Sequence, residues 1–180
     1  MIDLCIFGSP RKNHNTMKLV NAIKSDIEKI NLVDKRVKPC RGCLACYKDG
    51  HCIIKDDFDE IIKKVEMADR LVIASPVYFN SVSGILKNFI DRLQSQYAKK
   101  VILGQEIKGK DIFIVMSAGS NLSDDIKKSI EVQLNLVVKV LGGKEPNCFF
   151  MENLDNVSFD NQISNWKQKN DIIFKLFSIS

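Results

Sequence analysis

Four of the six cysteines in this chain fall within one short segment, Pro39-Cys40-Arg41-Gly42-Cys43-Leu44-Ala45-Cys46, which continues through Asp49-Gly50-His51-Cys52. The spacing is Cys-x2-Cys-x2-Cys-x5-Cys. Two successive two-residue gaps bring three thiolates onto one small concave turn with backbone N–H groups facing inward. Such a run ligates irons of a cubane iron–sulfur cluster, whereas zinc sites more often separate two Cys-x2-Cys pairs by a longer loop. Cys40, Cys43, Cys46 and Cys52 therefore leave three readings: a 4Fe–4S cluster, a zinc ion, or free thiols with an adventitious disulfide. His51 reads as a substitute ligand or proton donor, or as a solvated loop residue. Cys5 and Cys148 lie in apolar runs and read as small core residues.

A second chemistry is written into Gly8-Ser9-Pro10-Arg11-Lys12-Asn13-His14-Asn15-Thr16. This stretch follows an apolar run and precedes a helical pattern, so it reads as a strand-to-helix turn. Gly8 and Pro10 punctuate it, while Ser9, Asn13, Asn15 and Thr16 place small polar side chains near a helix start. Arg11 adds a permanent charge with a planar fork of donors. Backbone N–H groups, a helix dipole, hydroxyls and one arginine together suit a dianionic phosphate. The stretch lacks the terminal Gly-Lys-Ser/Thr of the P-loop, and its single glycine cannot supply Gly-x-Gly-x-x-Gly. An ordinary capped turn is the plain alternative.

These residues need a scaffold, and the 180-residue length allows one domain over residues 1–180 with a sizeable core and residues 40–52 as a cysteine-rich insertion loop. Apolar residues make up 45% and charged residues 27%, as in an ordinary water-exposed globular domain. The net charge of +5 is mild and its lysines follow helical patterns, which argues against a nucleic-acid partner. No apolar run approaches a membrane span, and residues 2–7 are too short for a signal-peptide core. A cytoplasmic location with reduced cysteines is expected.

Strand-like and helix-like segments alternate. Residues 2–7 read as a strand, followed by a helical stripe at Val20, Ile23, Ile27 and Ile30. A weaker strand is expected at residues 31–37. Asp57 and Glu60 form a variant capping box before the stripe Phe58, Ile61, Ile62 and Val65. Residues 71–74 read as a buried strand, followed by a stripe through Val82, Ile85, Leu86, Phe89, Ile90 and Leu93. Asp111–Ser117 is another buried strand; Ser123 caps the next helix and Gly142-Gly143 stops it. Asn147–Met151 is the fifth strand, and one last helix carries Ile163, Trp166, Ile173, Leu176 and Phe177. Five apolar strands alternating with helices predict an α/β fold, a five-stranded parallel sheet with helices on both faces. Ligands bind such sheets beyond the carboxyl ends of the strands.

Two of the loops at those ends carry further signals. Ser75-Pro76-Val77-Tyr78-Phe79-Asn80-Ser81-Val82-Ser83-Gly84 sets two aromatics side by side, suited to stack on or edge a flat ring, or simply to seal the sheet end. Ser117-Ala118-Gly119-Ser120-Asn121 allows close backbone approach. The first phosphate-type loop and the aromatic loop, in this order, resemble the NADPH-dependent FMN reductase and iron–sulfur flavoprotein group, which is flavodoxin-like, a three-layer sandwich. The resemblance covers nearly the whole chain and is closest at the four-cysteine motif.

That resemblance implies that Ser9, Arg11, Asn13, Asn15 and Thr16 hold the FMN phosphate. Pro76, Val77, Tyr78, Phe79 and Asn80 would border the isoalloxazine ring, with Ala118 and Gly119 on a third side. His14 departs from a smaller residue in relatives and is expected to point to water. Simple flavodoxins lack an arginine in this loop, so Arg11 argues against a pure flavodoxin. The implied activity is an FMN-dependent oxidoreductase taking electrons from NAD(P)H or a small redox-protein donor to a small-molecule or protein acceptor, with no protein catalytic residue demanded. A homodimer or homotetramer is implied as well. The alternatives are a non-enzymatic electron carrier, a cluster-free reductase with structural or redox-sensing cysteines, and a metal-binding or redox-sensing protein.

Overall fold

The computed structural model describes residues 1–178. Strands β1 (Asp3–Phe7), β2 (Glu28–Asn31), β3 (Arg70–Tyr78), β5 (Asp111–Ser117) and β6 (Asn147–Met151) form a sheet in the order β2-β1-β3-β5-β6. Their pairings are all parallel. A two-residue strand, β4 (Ser81–Val82), folds back antiparallel on the end of β3.

The strand sequences are continuous apolar runs because both faces of the sheet are covered. Successive residues point to opposite faces. Leu4, Ile6, Leu71, Ile73, Ile112 and Ile114 enter one core, and Cys5, Phe7, Val72, Ala74, Phe113 and Val115 enter the other. The first core is closed by α2 (Phe58–Met67), α3 (Gly84–Arg92) and α5 (Asp124–Val140) through Phe58, Ile61, Leu86, Phe89, Ile130 and Leu134. The second is closed by α1 (Asn15–Ile23), α6 (Phe159–Lys169) and α7 (Asp171–Ser178) through Leu19, Val20, Trp166, Ile173 and Phe177. A short helix, α4 (Gln94–Tyr97), continues from α3. The expected three-layer sandwich is the observed fold.

Three local expectations change. The second strand lies earlier than residues 31–37, because α1 ends at Ile23 and the chain turns to pair Glu28–Asn31 with β1. Ile27 and Ile30 therefore leave the helical stripe and enter opposite cores. Their spacing suits a helix in sequence, but parallel pairing with β1 satisfies the backbone and wins. Asp57 makes no side-chain cap on α2; its carboxylate accepts from Arg36 N at 2.8 Å, and Asp56 instead accepts from Phe58 N at 3.1 Å. The last helix breaks at Asn170, whose side-chain amide donates to Trp166 O at 2.8 Å. Ser123 does cap α5, accepting from Ile126 N at 3.4 Å.

Candidate functional site

The carboxyl ends of β1, β3 and β5 open onto a cleft of about 340 Å³. The loop after β1 forms one wall. Gly8 N donates to Ala74 O at 2.8 Å, and the Ser83 hydroxyl donates to Gly8 O, so the loop is tied down on both sides. Only glycine serves at position 8, since a Cβ there would lie 2.6 Å from Leu86 Cβ. Buried Ser9 accepts from Arg11 N through its hydroxyl at 3.1 Å, folding the loop over towards α1. Helix α1 then starts at Asn15 with no side-chain cap at His14 and no acidic residue in its first turn. An uncapped positive helix end beside Arg11 is an anion site in waiting.

Thr16 is buried beneath this end, its hydroxyl 2.6 Å from that of Ser117. The pair couples the first turn of α1 to the carboxyl end of β5. Pro76, Val77 and Tyr78 make the second wall, and Ser117, Ala118, Gly119 and Ser120 the third. Of the expected residues, Ser9, Arg11, Asn15, Thr16, Pro76, Val77, Tyr78, Ala118 and Gly119 line this cleft.

Asn13, Phe79 and Asn80 stand outside that lining. Phe79 and Asn80 are the two central residues of the β3–β4 hairpin, with φ of 47° and 59°. Positive φ at both positions is the primed turn that two-residue hairpins prefer. It leaves Phe79 fully exposed at the tip. His14, expected to face water, also lines the cleft.

Sequence reasoning missed Leu154 and Asp155, which close the far side. The loop after β6 zips onto the loop after β5 through Leu154 N to Ala118 O at 3.1 Å and Asp155 N to Gly119 O at 2.9 Å. A Cβ on Gly119 would lie 2.2 Å from Asp155 Oδ2. The cleft is thus lined by the Arg11 cation and, beside Gly119, by the Asp155 carboxylate. The only signal in the sequence is the turn-forming run Asn153, Asp155 and Asn156 directly after a strand.

Cys40, Cys43, Cys46 and Cys52 line a second, small cavity together with Ile53, Ile54, Arg92, Gln94 and Ser95. Gly42 and Leu44, at φ of 62° and 56°, coil the loop tightly between the cysteines. Cys46 is buried, with Sγ donating to Gln94 O at 3.7 Å; Cys43 is exposed. Burial raises the Cys46 thiol above its ordinary value, and repulsion from Cys52, Cys40 and Cys43 adds to it. The four sulfurs share one cavity without being drawn to ligating distance: among the described residues, no group of three Cys, His, Asp or Glu side chains is set to hold an ion. Thiols are nonetheless the donor type that an iron–sulfur centre takes. Four cysteines line one cavity, and the Arg92 guanidinium on its wall keeps a buried Nε donor without a geometric hydrogen-bond partner. His51 lies outside this lining and is exposed, near Asp49. Cys5 is a core residue and Cys148 packs partly buried against the other core; burial pushes both thiols up to about 12.

The chain is 48% identical over 94 residues to an iron–sulfur flavoprotein of Methanocaldococcus jannaschii, covering 48% of this chain and 49% of that one. An iron–sulfur flavoprotein of Clostridioides difficile is 43% identical over 102 residues, covering 51% of this chain and 45% of that one. The chain thus spans about half the length of the curated relatives it matches. Among solved structures, an NAD(P)H:quinone oxidoreductase from Methanothermobacter marburgensis superposes with a TM-score of 0.77 at 17% identity, over 97% of this chain and 96% of that one. An FMN-dependent NADH-azoreductase from Bacillus anthracis, in complex with FMN, gives 0.70 at 14% identity, over 99% and 98%. These two show a shared fold. Residues 3–142 match the family described as NADPH-dependent FMN reductase, and the chain belongs to that family of oxidoreductases.

Proposed function

We propose that this protein is an FMN-dependent oxidoreductase that passes electrons from NAD(P)H or a small redox-protein donor to a small-molecule or protein acceptor, with a 4Fe–4S cluster on Cys40, Cys43, Cys46 and Cys52. The observation that carries the flavin assignment is the meeting, in one cleft, of an uncapped helix N-terminus and Arg11 with Pro76, Val77, Tyr78 and Gly119. A ligand that joins a dianion to a flat ring matches those two kinds of wall.

In this reading Arg11, Ser9, Asn15 and Thr16 hold the phosphate, and the α1 dipole favours its charge. Asn13, outside the cleft lining, belongs to this group only by its place in the same loop. Tyr78 borders the ring, with Phe79 and Asn80 at the hairpin tip available to cover it once a partner or substrate arrives. Ala118 and Gly119 offer backbone with no side chain in the way. Bound FMN supplies hydride acceptance and one-electron transfer, so the chain's own task is to hold, orient and shield. The cluster assignment draws support from the cysteine cavity, from the unpaired Arg92 Nε and from relatives named iron–sulfur flavoproteins.

We read the chain as a single cytoplasmic domain acting as a homodimer or homotetramer. No helix among the described residues is long and apolar enough to cross a membrane. Val132 and Leu136 expose one apolar strip of α5, and the Ser81 hydroxyl donates to Gln133 Oε1 at 3.0 Å, setting the Phe79 hairpin beside that strip. A partner subunit over this face would cover Phe79 and the open side of the cleft.

An absorption spectrum of protein purified without oxygen, with iron and acid-labile sulfide assayed on the same sample, tests the whole reading. Flavin bands over broad iron–sulfur absorption support it, and Cys43→Ala should then remove iron and leave FMN. Flavin without iron reduces it to a cluster-free reductase. Bound FMN without NAD(P)H turnover turns it into an electron carrier.

A further inference from the structure

Arg92 ends α3 with its side chain wholly buried, paired to an equally buried Asp56. A guanidinium has five N–H donors. Nη1 donates to Asp56 Oδ2 at 2.7 Å and Lys38 O at 2.9 Å, and Nη2 to Asp56 Oδ1 at 3.2 Å and Ile54 O at 3.3 Å. Lys38 stands two residues before Cys40 and Ile54 two residues after Cys52. One side chain therefore clamps both ends of the cysteine loop. Its plane lies over the Phe58 ring, 4.6 Å from the centroid, which fixes its orientation.

The fifth donor, Nε–H, is buried without a partner. A native interior rarely leaves such a donor unpaired. Arg92 lines the cavity that the four cysteines share. The Cys52 side chain lies near enough to the guanidinium to act on it both by charge and as a hydrogen-bond partner, yet it does not reach full hydrogen-bond geometry at Nε.

We propose that Arg92 is the positioning residue of the cysteine site: it sets the loop's two ends and reserves its Nε–H and buried positive charge for a sulfur of the bound cluster. The inference rests on the cluster reading above and adds a role for a residue outside the cysteine motif. A donor and a fixed cation at the sulfur stabilise the oxidation state with more negative charge, so the reduction potential is held higher than the four cysteines alone would give.

The test compares the unaltered chain, Arg92→Lys and the double variant Arg92→Met with Asp56→Leu, each reconstituted with ferrous iron and sulfide without oxygen. The double variant removes the whole ion pair, so no charge is left buried alone. FMN content reports the fold, iron and sulfide report loading, and a redox titration reports the cluster potential. Arg92→Lys keeps the charge and loses the fork. Both variants are expected to retain FMN and to show a lowered cluster potential or reduced iron. Retained FMN with unchanged iron and unchanged potential overturns the role of Arg92. If the double variant loses FMN as well, Arg92→Lys decides: an unchanged potential overturns the proposal and a lowered one supports it. An unaltered chain that binds FMN but no iron overturns the cluster reading, and this inference with it.

Discussion

Ser83 and Arg92 hold the two ends of one helix against the two candidate sites. Ser83 donates to Gly8 O in the phosphate-type loop and accepts from Leu86 N at 3.1 Å as the cap of α3. Nine residues on, Arg92 donates to Lys38 O and Ile54 O around the cysteine loop. At 1.5 Å per residue, roughly 14 Å of rigid helix spans the interval. The candidate flavin cleft and the cysteine cavity are thus tied to the two ends of a single element. Ser83→Ala removes both the cap and the tie to Gly8. It should cost about 1–2 kcal/mol in urea unfolding and weaken FMN binding, while leaving iron content unchanged.

The phosphate assignment is separable from the ring assignment. Arg11→Gln should weaken FMN binding roughly tenfold or more, the scale of one lost hydrogen bond to a charged group. Riboflavin, which has the ring without the phosphate, should bind the variant and the unaltered chain equally. Fluorescence titration with both ligands checks this, and an equal loss for riboflavin would move Arg11 away from the phosphate.

Gly119 and Asp155 form a testable couple. A methyl at position 119 would stand 2.2 Å from Asp155 Oδ2, so one of the two must move. Gly119→Ala should lower FMN affinity by displacing the carboxylate and the loop after β6 with it. Adding Asp155→Ala should recover much of the loss, because the clash is with the end of that side chain. A double-mutant cycle on FMN affinity reads the coupling, and strict additivity would show that the two positions act apart.

What the sequence disclosed tracks how locally each feature is determined. Asp111–Ser117 and Asn147–Met151 are bounded by their own apolar runs and turn residues, and they form as expected. The nine expected residues that line the cleft all lie at or just beyond the carboxyl ends of β1, β3 and β5, where a strand pattern gives way to turn residues. Leu154 and Asp155 were illegible because only the pairing of two loops from distant parts of the chain brings them to the cleft. Arg92 was hidden for a related reason: an arginine in the last turn of a helix reads as a solvated cation. Its burial depends on Asp56, thirty-six positions earlier. Ile27 and Ile30 misled because a spacing of three suits one helical stripe and equally a turn followed by a strand.

At the amino ends of the neighbouring strands β1 and β3, away from the cleft, Asp3 and Arg70 form a nearly buried ion pair, with Nε to Oδ1 at 2.6 Å and Nη2 to Oδ2 at 2.7 Å. Arg70 also reaches Leu176 O and lies over the Phe177 ring, 4.6 Å from the centroid, so it staples α7 to the strand ends. Burial alone would raise the Asp3 carboxyl, but the hydrogen bonds from Arg70 and Lys24 outweigh it and hold it below its ordinary value of 3.8. A carboxyl depressed in the folded state binds fewer protons there than in the unfolded chain. Its contribution is therefore complete above the unfolded value and is lost as pH falls through the folded one. Denaturant unfolding followed between neutral pH and about pH 3 should show stability declining only at the acid end of that range. Asp3→Asn removes one partner of the pair and should cost about 3 kcal/mol at neutral pH. The variant should also lose this share of the acid decline, so the two stability curves converge as pH falls. Curves that stay parallel down to the acid limit would assign the acid sensitivity to other carboxylates.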